Sequence, residues 1–306
     1  MKALIVGYGM IGKKHAEILK NSLSIDVYTY NSSSSDSNTI KNVNDWQKVK
    51  ELSPDFIVIS NPTFMHLETI EQFIELDCPI FLEKPIDSDV KNLNELIQVV
   101  NKKNSCVYVA YCLRFNPVIK FLKKYFSEHQ PKLVRIYNNN NLSCWPRTND
   151  ANYSQNIDQG GGVVMDLSHE IDYLNYLSPI KETVYSFSSK MGGVTNDAPD
   201  FMLSHFRNDK FSSIVELNYF GHLKERSIKV DFEDHSIEAN LKELKINFYK
   251  RLQLVDTVTF PGKYEDMYIE QWHYFLANMK EKYIMNNLQE ASNVFSILHK
   301  INGNLK

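Results

Sequence analysis

The first half of the chain alternates short apolar runs with longer stretches in which apolar residues recur every three or four positions. Lys2–Val6, Ile25–Tyr30, Phe56–Ile59, Ile80–Leu82 and Cys106–Ala110 are nearly continuous runs of β-branched and aromatic residues. Strands covered on both faces need such runs. Between them, Ile11–Asn21, Asp45–Leu52, His66–Leu76 and Asp89–Lys103 carry helical spacing. In the last of these, Val90, Leu93, Leu96, Ile97 and Val100 fall on one face and Ser88 is placed to cap. Strand–helix alternation predicts βαβ units and a parallel sheet.

After about Pro117 the rhythm changes. Long alternating segments predict strands at Lys132–Asn138, Thr183–Met191, Phe201–Phe206, Ser212–Phe220, Ser227–Phe232 and Leu244–Tyr249. One helical segment, Val163–Leu177, lies among them, and two more, Glu265–Lys282 and Leu288–Asn302, close the chain. The predicted fold class is therefore α/β in the first half, a Rossmann parallel sheet over residues 1–117. An α+β domain on an antiparallel sheet follows over residues 118–306, with a last helix that can pack back on the first domain. Asn31–Asn38 and Asn138–Asn141 are low in complexity and short enough to be loops.

Composition narrows the function classes. A chain of 306 residues accommodates two domains, and 43% apolar with 23% charged residues excludes disorder or coiled coil as a whole-chain description. Lys and Arg total 34 against 37 Asp and Glu, so no basic excess exists to hold a phosphate backbone, and nucleic acid is excluded as the principal partner. No apolar run approaches the roughly 20 residues of a membrane span. The run Ala3–Val6 is too short for a secretory core and leads straight into a glycine motif. Cys78, Cys106, Cys112 and Cys144 match no ligand spacing or disulfide framework, and the first two read as buried, inert thiols. A reducing cytoplasm is the expected setting. The nine histidines show no metal-ligand spacing with Cys or carboxylates, so no metal is expected.

Gly7-Tyr8-Gly9-Met10-Ile11-Gly12 stands directly after the first strand and opens the first helix. Gly7 permits the tight turn, Gly9 lets backbone approach a pyrophosphate, and Gly12 lets helix and strand pack closely. Gly7, Gly9, Met10, Ile11 and Gly12 are thus the predicted dinucleotide contacts. The ribose reader is less typical. The second strand ends in Tyr30-Asn31-Ser32-Ser33-Ser34 with no carboxylate before Asp36, and Asp26 stands at the strand's wrong end. Asn31 and Ser32 could donate to a 2′-phosphate although no Arg or Lys is adjacent. The cofactor is NAD or NADP, with a slight lean to NADP.

Three further segments can carry chemistry. Asn61, Pro62 and Thr63 follow the third strand of the parallel set, where strand C-termini meet a ligand, whereas His66 reads more simply as part of the next helix. Glu83-Lys84-Pro85 follows the fourth, placing a cation where negative charge develops on a reacting oxygen, unless Lys84 is a surface residue of a turn. Gly160-Gly161-Gly162 precedes Asp166 and His169, which at i and i+3 on one helix would share a face. A carboxylate beside an imidazole suits a general base, while the plainer alternative is a first-turn carboxylate and a half-buried ring.

Together, the glycine loop, Glu83-Lys84-Pro85 and the Gly160–Asp172 segment resemble the glucose-fructose oxidoreductase/inositol dehydrogenase (Gfo/Idh/MocA) family over essentially the whole chain. The resemblance implies a two-domain NAD(P)-dependent enzyme. Its second domain would carry a large, open, mainly antiparallel sheet of the kind that commonly forms an oligomer interface, hence a homodimer or homotetramer. By matching position, Lys84 would contact the reacting oxygen with Pro85 positioning it, and Asp166 and His169 would be the catalytic pair. The commoner family interval is four residues rather than three, a difference of about 100° on a helix. Leu113-Arg114-Phe115-Asn116-Pro117 and Trp145-Pro146-Arg147…Tyr153-Ser154 look like a subgroup associated with bacterial surface-sugar gene clusters. Arg114, Arg147 and Tyr153 would then bind an anionic sugar nucleotide, with an Arg paired to a structural carboxylate as the alternative.

The function implied is hydride transfer between nicotinamide and a sugar carbon, with Glu83 and Lys84 also near the cofactor and Lys84 and His169 at the substrate. Redox-assisted epimerase, lyase or glycosidase chemistry without net cofactor turnover is one alternative. A non-catalytic NAD(P)-sensing protein is the other.

Overall fold

The computed structural model describes residues 1–31, 40–89, 93–145, 153–281 and 283–303. The chain divides into two compact units, Met1–Tyr111 with Gln271–Asn293, and Cys112–Glu270 with Val294–Lys306.

The first unit holds β1 (Lys2–Val6), α1 (Met10–Glu17), β2 (Asp26–Tyr30), β3 (Lys41–Asn42), α2 (Trp46–Leu52), β4 (Phe56–Ile59), α3 (His66–Phe73), β5 (Ile80–Leu82), α4 (Leu93–Lys103) and β6 (Val107–Val109). All its strands are parallel, in the order β3-β2-β1-β4-β5-β6. Strands β1, β4, β5 and β6 are short and almost wholly apolar, and Ala3, Leu4, Ile5 and Phe56–Ile59 are fully buried, as a sheet covered on both faces demands. Asp45 caps α2 by accepting from the Gln47 N–H at 2.7 Å. Residues 271–293 join this unit because its core is completed from there. Trp272 stacks on Phe81 at 4.0 Å, Phe275 meets Phe56 and Phe81 edge-on, and the Val109 N–H donates to the Asn286 carbonyl at 2.7 Å.

The second unit opens with α5 (Pro117–Glu128), a helix beyond those expected. The Asn116 side chain caps it, accepting from the Val118 N–H at 2.9 Å, and Pro117 occupies its first turn. Then come β7 (Leu133–Asn139), α6 (Val163–Asp166), α7 (His169–Leu177), β8 (Ile180–Ser189), β9 (Phe201–Asn208), β10 (Ser212–Asn218), β11 (Glu225–Asp231), β12 (Ser236–Asn240), β13 (Lys245–Lys250) and β14 (Gln253–Thr259). Across the unit division run α8 (Asp266–Asn278) and α9 (Leu288–Gly303). The eight strands lie in the order β14-β13-β12-β11-β7-β10-β9-β8, antiparallel except for the β7–β10 pair. Val134, Ile136, Val215, Leu217, Ile228 and Val230 alternate onto the buried face.

Several expectations need correction. Asn138 and Asn139 end β7 rather than forming a loop, and they are buried. Strands β3, β12 and β14 were not predicted. Each is short or polar, and register with a neighbour rather than its own composition makes it a strand. The single helix expected over Val163–Leu177 is two, because Leu167 leaves the helical region at φ −94° and ψ +30°.

Candidate active site

In the first unit, β1 lies between β2 and β4, so chain order reverses beside it and the C-terminal ends of β1 and β4 bound the crevice where such sheets bind ligands. Gly7 turns out of β1 at φ +89°, and a Cβ there would stand 2.4 Å from the Asn61 amide nitrogen that follows β4. Gly12 lies against the same turn, where a Cβ would meet the Gly7 carbonyl oxygen at 2.2 Å. A Cβ on Gly9 would meet nothing within 4 Å among the described residues. Gly9 is also the N-cap of α1, which has neither a side-chain cap nor an acidic residue in its first turn. Two glycines are thus required by the fold, whereas the third is required by nothing among the described residues. It leaves an open approach to backbone N–H groups, as a dinucleotide pyrophosphate needs. Ile11 is half-buried and Met10 exposed beside it.

At the end of β2, the Asn31 N–H donates to the Asn42 Oδ1 at 3.2 Å and the Asn42 amide donates back to the Asn31 carbonyl at 3.3 Å. Ser32 lies outside the described residues. After β4, Asn61 donates to the Thr69 hydroxyl at 2.8 Å, Thr63 is buried and Pro62 is exposed.

The turn after β5 is anchored more heavily than the sequence indicated. The buried Trp272 indole donates to His15 Nδ1 at 3.1 Å, which leaves the His15 proton on Nε2, 2.7 Å from Glu83 Oε1. Glu83 Oε2 accepts from the Lys84 N–H at 3.2 Å. Burial alone would raise the Glu83 carboxyl, but the hydrogen bond from His15, the Lys84 charge and the Lys84 N–H hold it below the ordinary value. Lys84 is half-buried, and its peptide bond to Pro85 is cis. His66, read from sequence as an ordinary helical residue, is buried with Nδ1 2.9 Å from the Pro85 carbonyl oxygen and Nε2 3.0 Å from that of Asn61.

In the second unit, a Cβ on Gly161 would lie 2.2 Å from the Tyr153 carbonyl oxygen, so the triple glycine is a close backbone crossing. It leads into α6, which Asp166 ends, while His169 begins α7. The two are neighbours across a break rather than on one helix face, and the 100° argument does not apply to them. Asp166 is buried and accepts from the Tyr219 hydroxyl at 2.6 Å; His169 is half-buried. Burial and then the Asp166 charge push the Tyr219 phenol well up, so it stays a donor. Tyr219, after β10, was not found from sequence because no motif marks it.

Arg114 is buried with its fork on Asp172, Nε to Oδ2 at 3.0 Å and Nη2 to Oδ1 at 2.6 Å, and lies over the Tyr176 ring. This is the structural-carboxylate arrangement. Arg226 likewise holds the fully buried Glu170, at 2.7 and 3.2 Å. Tyr153 is 40% exposed in a short 3₁₀ turn, and Arg147 lies outside the described residues. Cys78 and Cys106 are half-buried rather than buried, and burial pushes both thiols up to about 11.

Residues 1–111 match the model of the oxidoreductase family with an NAD-binding Rossmann fold, GFO_IDH_MocA. An uncharacterised oxidoreductase, YrbE of Bacillus subtilis (strain 168), is 25% identical over 188 residues, 56% of this chain and 52% of the relative, so the match spans about half of that relative's length. Among solved structures, levoglucosan dehydrogenase in complex with NADH superposes with a TM-score of 0.85 at 17% identity, covering 99% of this chain and 96% of the other. UDP-N-acetylglucosamine 3-dehydrogenase GnnA from Acidithiobacillus ferrooxidans gives 0.79 at 16%, covering 99% and 97%. These likenesses establish that the fold extends over both units. Among the described residues, no helix is long and apolar enough to cross a membrane.

Proposed function

We propose that the protein is an NAD(P)-dependent oxidoreductase that moves a hydride between nicotinamide and a carbon of a sugar, nucleotide-activated or acidic. The observation that carries this reading is the opening at Gly9, between two glycines that the fold itself requires, with Lys84 in the turn that follows β5, the strand next to β4. When bound, the dinucleotide supplies the hydride acceptor. Lys84 stabilises negative charge on the substrate oxygen as hydride leaves the carbon. His169 takes the hydroxyl proton, and Asp166, held by Tyr219, orients it. In reduction His169 gives the proton back to the oxygen that Lys84 holds, and the reduced dinucleotide would supply the hydride. The sugar class follows the dehydrogenases that the fold resembles, and Tyr153 and Arg147 are the candidate contacts for an anionic substrate. Asn31 at the ribose end, with no carboxylate, keeps the lean toward NADP. A reducing cytoplasm and assembly through the exposed apolar side chains Val184, Tyr185 and Phe187 of β8 complete the reading.

The test is nicotinamide absorbance during incubation with NAD or NADP and a panel of CMP- and UDP-linked sugars, wild type beside Lys84→Met. The expected result is a change with one cofactor–sugar pair, reduced by about 10²-fold or more in the variant. Equal rates in both proteins would overturn the role of Lys84. A flat trace with altered sugar and retained cofactor by mass would replace net dehydrogenation with internal hydride return.

A further inference from the structure

We propose that His66 is a positioning residue for Lys84, its buried ring fastening the turn that carries Lys84 to the loop after β4; this rests on the reading of Lys84 given above. The two carbonyls that His66 meets come from loops following adjacent strands, Asn61 after β4 and Pro85 after β5. Lys84 stands between two anchors. On its N-terminal side the Trp272–His15–Glu83 chain ends at the Lys84 N–H. On its C-terminal side Pro85 has no N–H to give, so the turn is fixed through the carbonyl that His66 meets at 2.9 Å.

Both partners of the ring are acceptors. A neutral imidazole carries one N–H and donates to one of them, leaving a lone pair facing the other carbonyl oxygen. The imidazolium donates to both. Burial opposes that charge and lowers the pKa, while the carboxylates of Asp87 and Glu83 favour it. Asp87 also accepts from the Leu67 N–H at 3.1 Å, so it is fixed to the same helix start. Protonation therefore completes the link between the loops, and a rise in pH releases one end of it.

Two substitutions separate the two contacts. His66→Asn keeps a donor near the Nδ1 position toward Pro85, and His66→Gln keeps one near Nε2 toward Asn61. We expect His66→Asn to retain kcat within about threefold of wild type and His66→Gln to lose about tenfold or more, with dinucleotide affinity by fluorescence titration changed less than about threefold in both. Equal kcat in the two folded variants would overturn the proposal. A second readout needs no substrate. In protein labelled with ¹⁵N, the ring nitrogens of His66 and the amides of Asn61, Lys84 and Ile86 should shift with a common pH midpoint below 6.5. Amides that ignore the ring's titration would overturn the proposal. Wild type that binds no dinucleotide would instead sink the functional reading, and the amide titration then decides the positioning claim alone.

Discussion

Glu83 is a largely buried carboxylate, its side chain 12% exposed, that remains charged because His15 donates to it, and the His15 tautomer is set in turn by the Trp272 indole. Its folded pKa lies below its ordinary value, so the stability it contributes is present above about pH 4.5 and fades as pH falls through the depressed value. His15→Ala removes the donor and should move the acid limb of a Tm-versus-pH curve to higher pH; an unmoved limb would mean that Glu83 is held elsewhere. The glycines give a sharper contrast. Gly12→Ala drives a Cβ against the Gly7 carbonyl and should cost about 1–3 kcal/mol in a denaturant titration. Gly9→Ala meets no atom of the described residues, so Tm should hold while dinucleotide affinity drops about tenfold or more. Unchanged affinity would remove Gly9 from the cofactor site. These residue roles were only partly legible in sequence. The glycine motif states its own geometry, but nothing near Trp272 or Tyr219 announces a partner some 257 or 53 positions away.

Among elements, the segment Gly160–Leu177 shows what periodicity cannot report. Its apolar spacing is helical throughout, yet the helix breaks at Leu167, and buried groups on either side are tied to different partners: Asp166 to Tyr219, Glu170 to Arg226, Asp172 to Arg114. Each pair is a long-range contact that a local pattern does not contain. Arg114→Ala leaves the Asp172 charge buried without its fork, and a loss of about 3–5 kcal/mol in chemical denaturation is expected. A loss below about 1 kcal/mol would indicate that Asp172 reaches another donor. Tyr219→Phe removes a hydrogen bond to a charged acceptor, worth about 1.5–3 kcal/mol of stability, and should lower kcat with little change in KM. Helix α5, by contrast, carried readable signals in Asn116 and Pro117, a cap and a first-turn proline.

For the molecule as a whole, the second sheet ends at β8, which exposes Val184, Tyr185 and Phe187 by 49%, 56% and 43%. Apolar edge strands of this kind invite pairing with another copy. Phe187→Glu should shift the mass in sedimentation toward the monomer if β8 carries the assembly; an unchanged mass distribution would place the contact elsewhere. The division into a parallel and a mainly antiparallel sheet was written in the chain, because strands buried on both faces and strands buried on one face have different hydrophobic periods. So was the dinucleotide turn, since only glycine satisfies its crowded backbone. Tertiary structure alone decided which polar groups meet inside each unit: the Trp272–His15–Glu83 chain, the two carbonyls at His66, the hydroxyl on Asp166 and the carboxylate on Arg114. The physical reason is the same in each case. Apolar burial is non-directional and leaves its mark on local sequence, whereas a buried hydrogen bond or ion pair depends on where two distant segments are brought within about 3 Å.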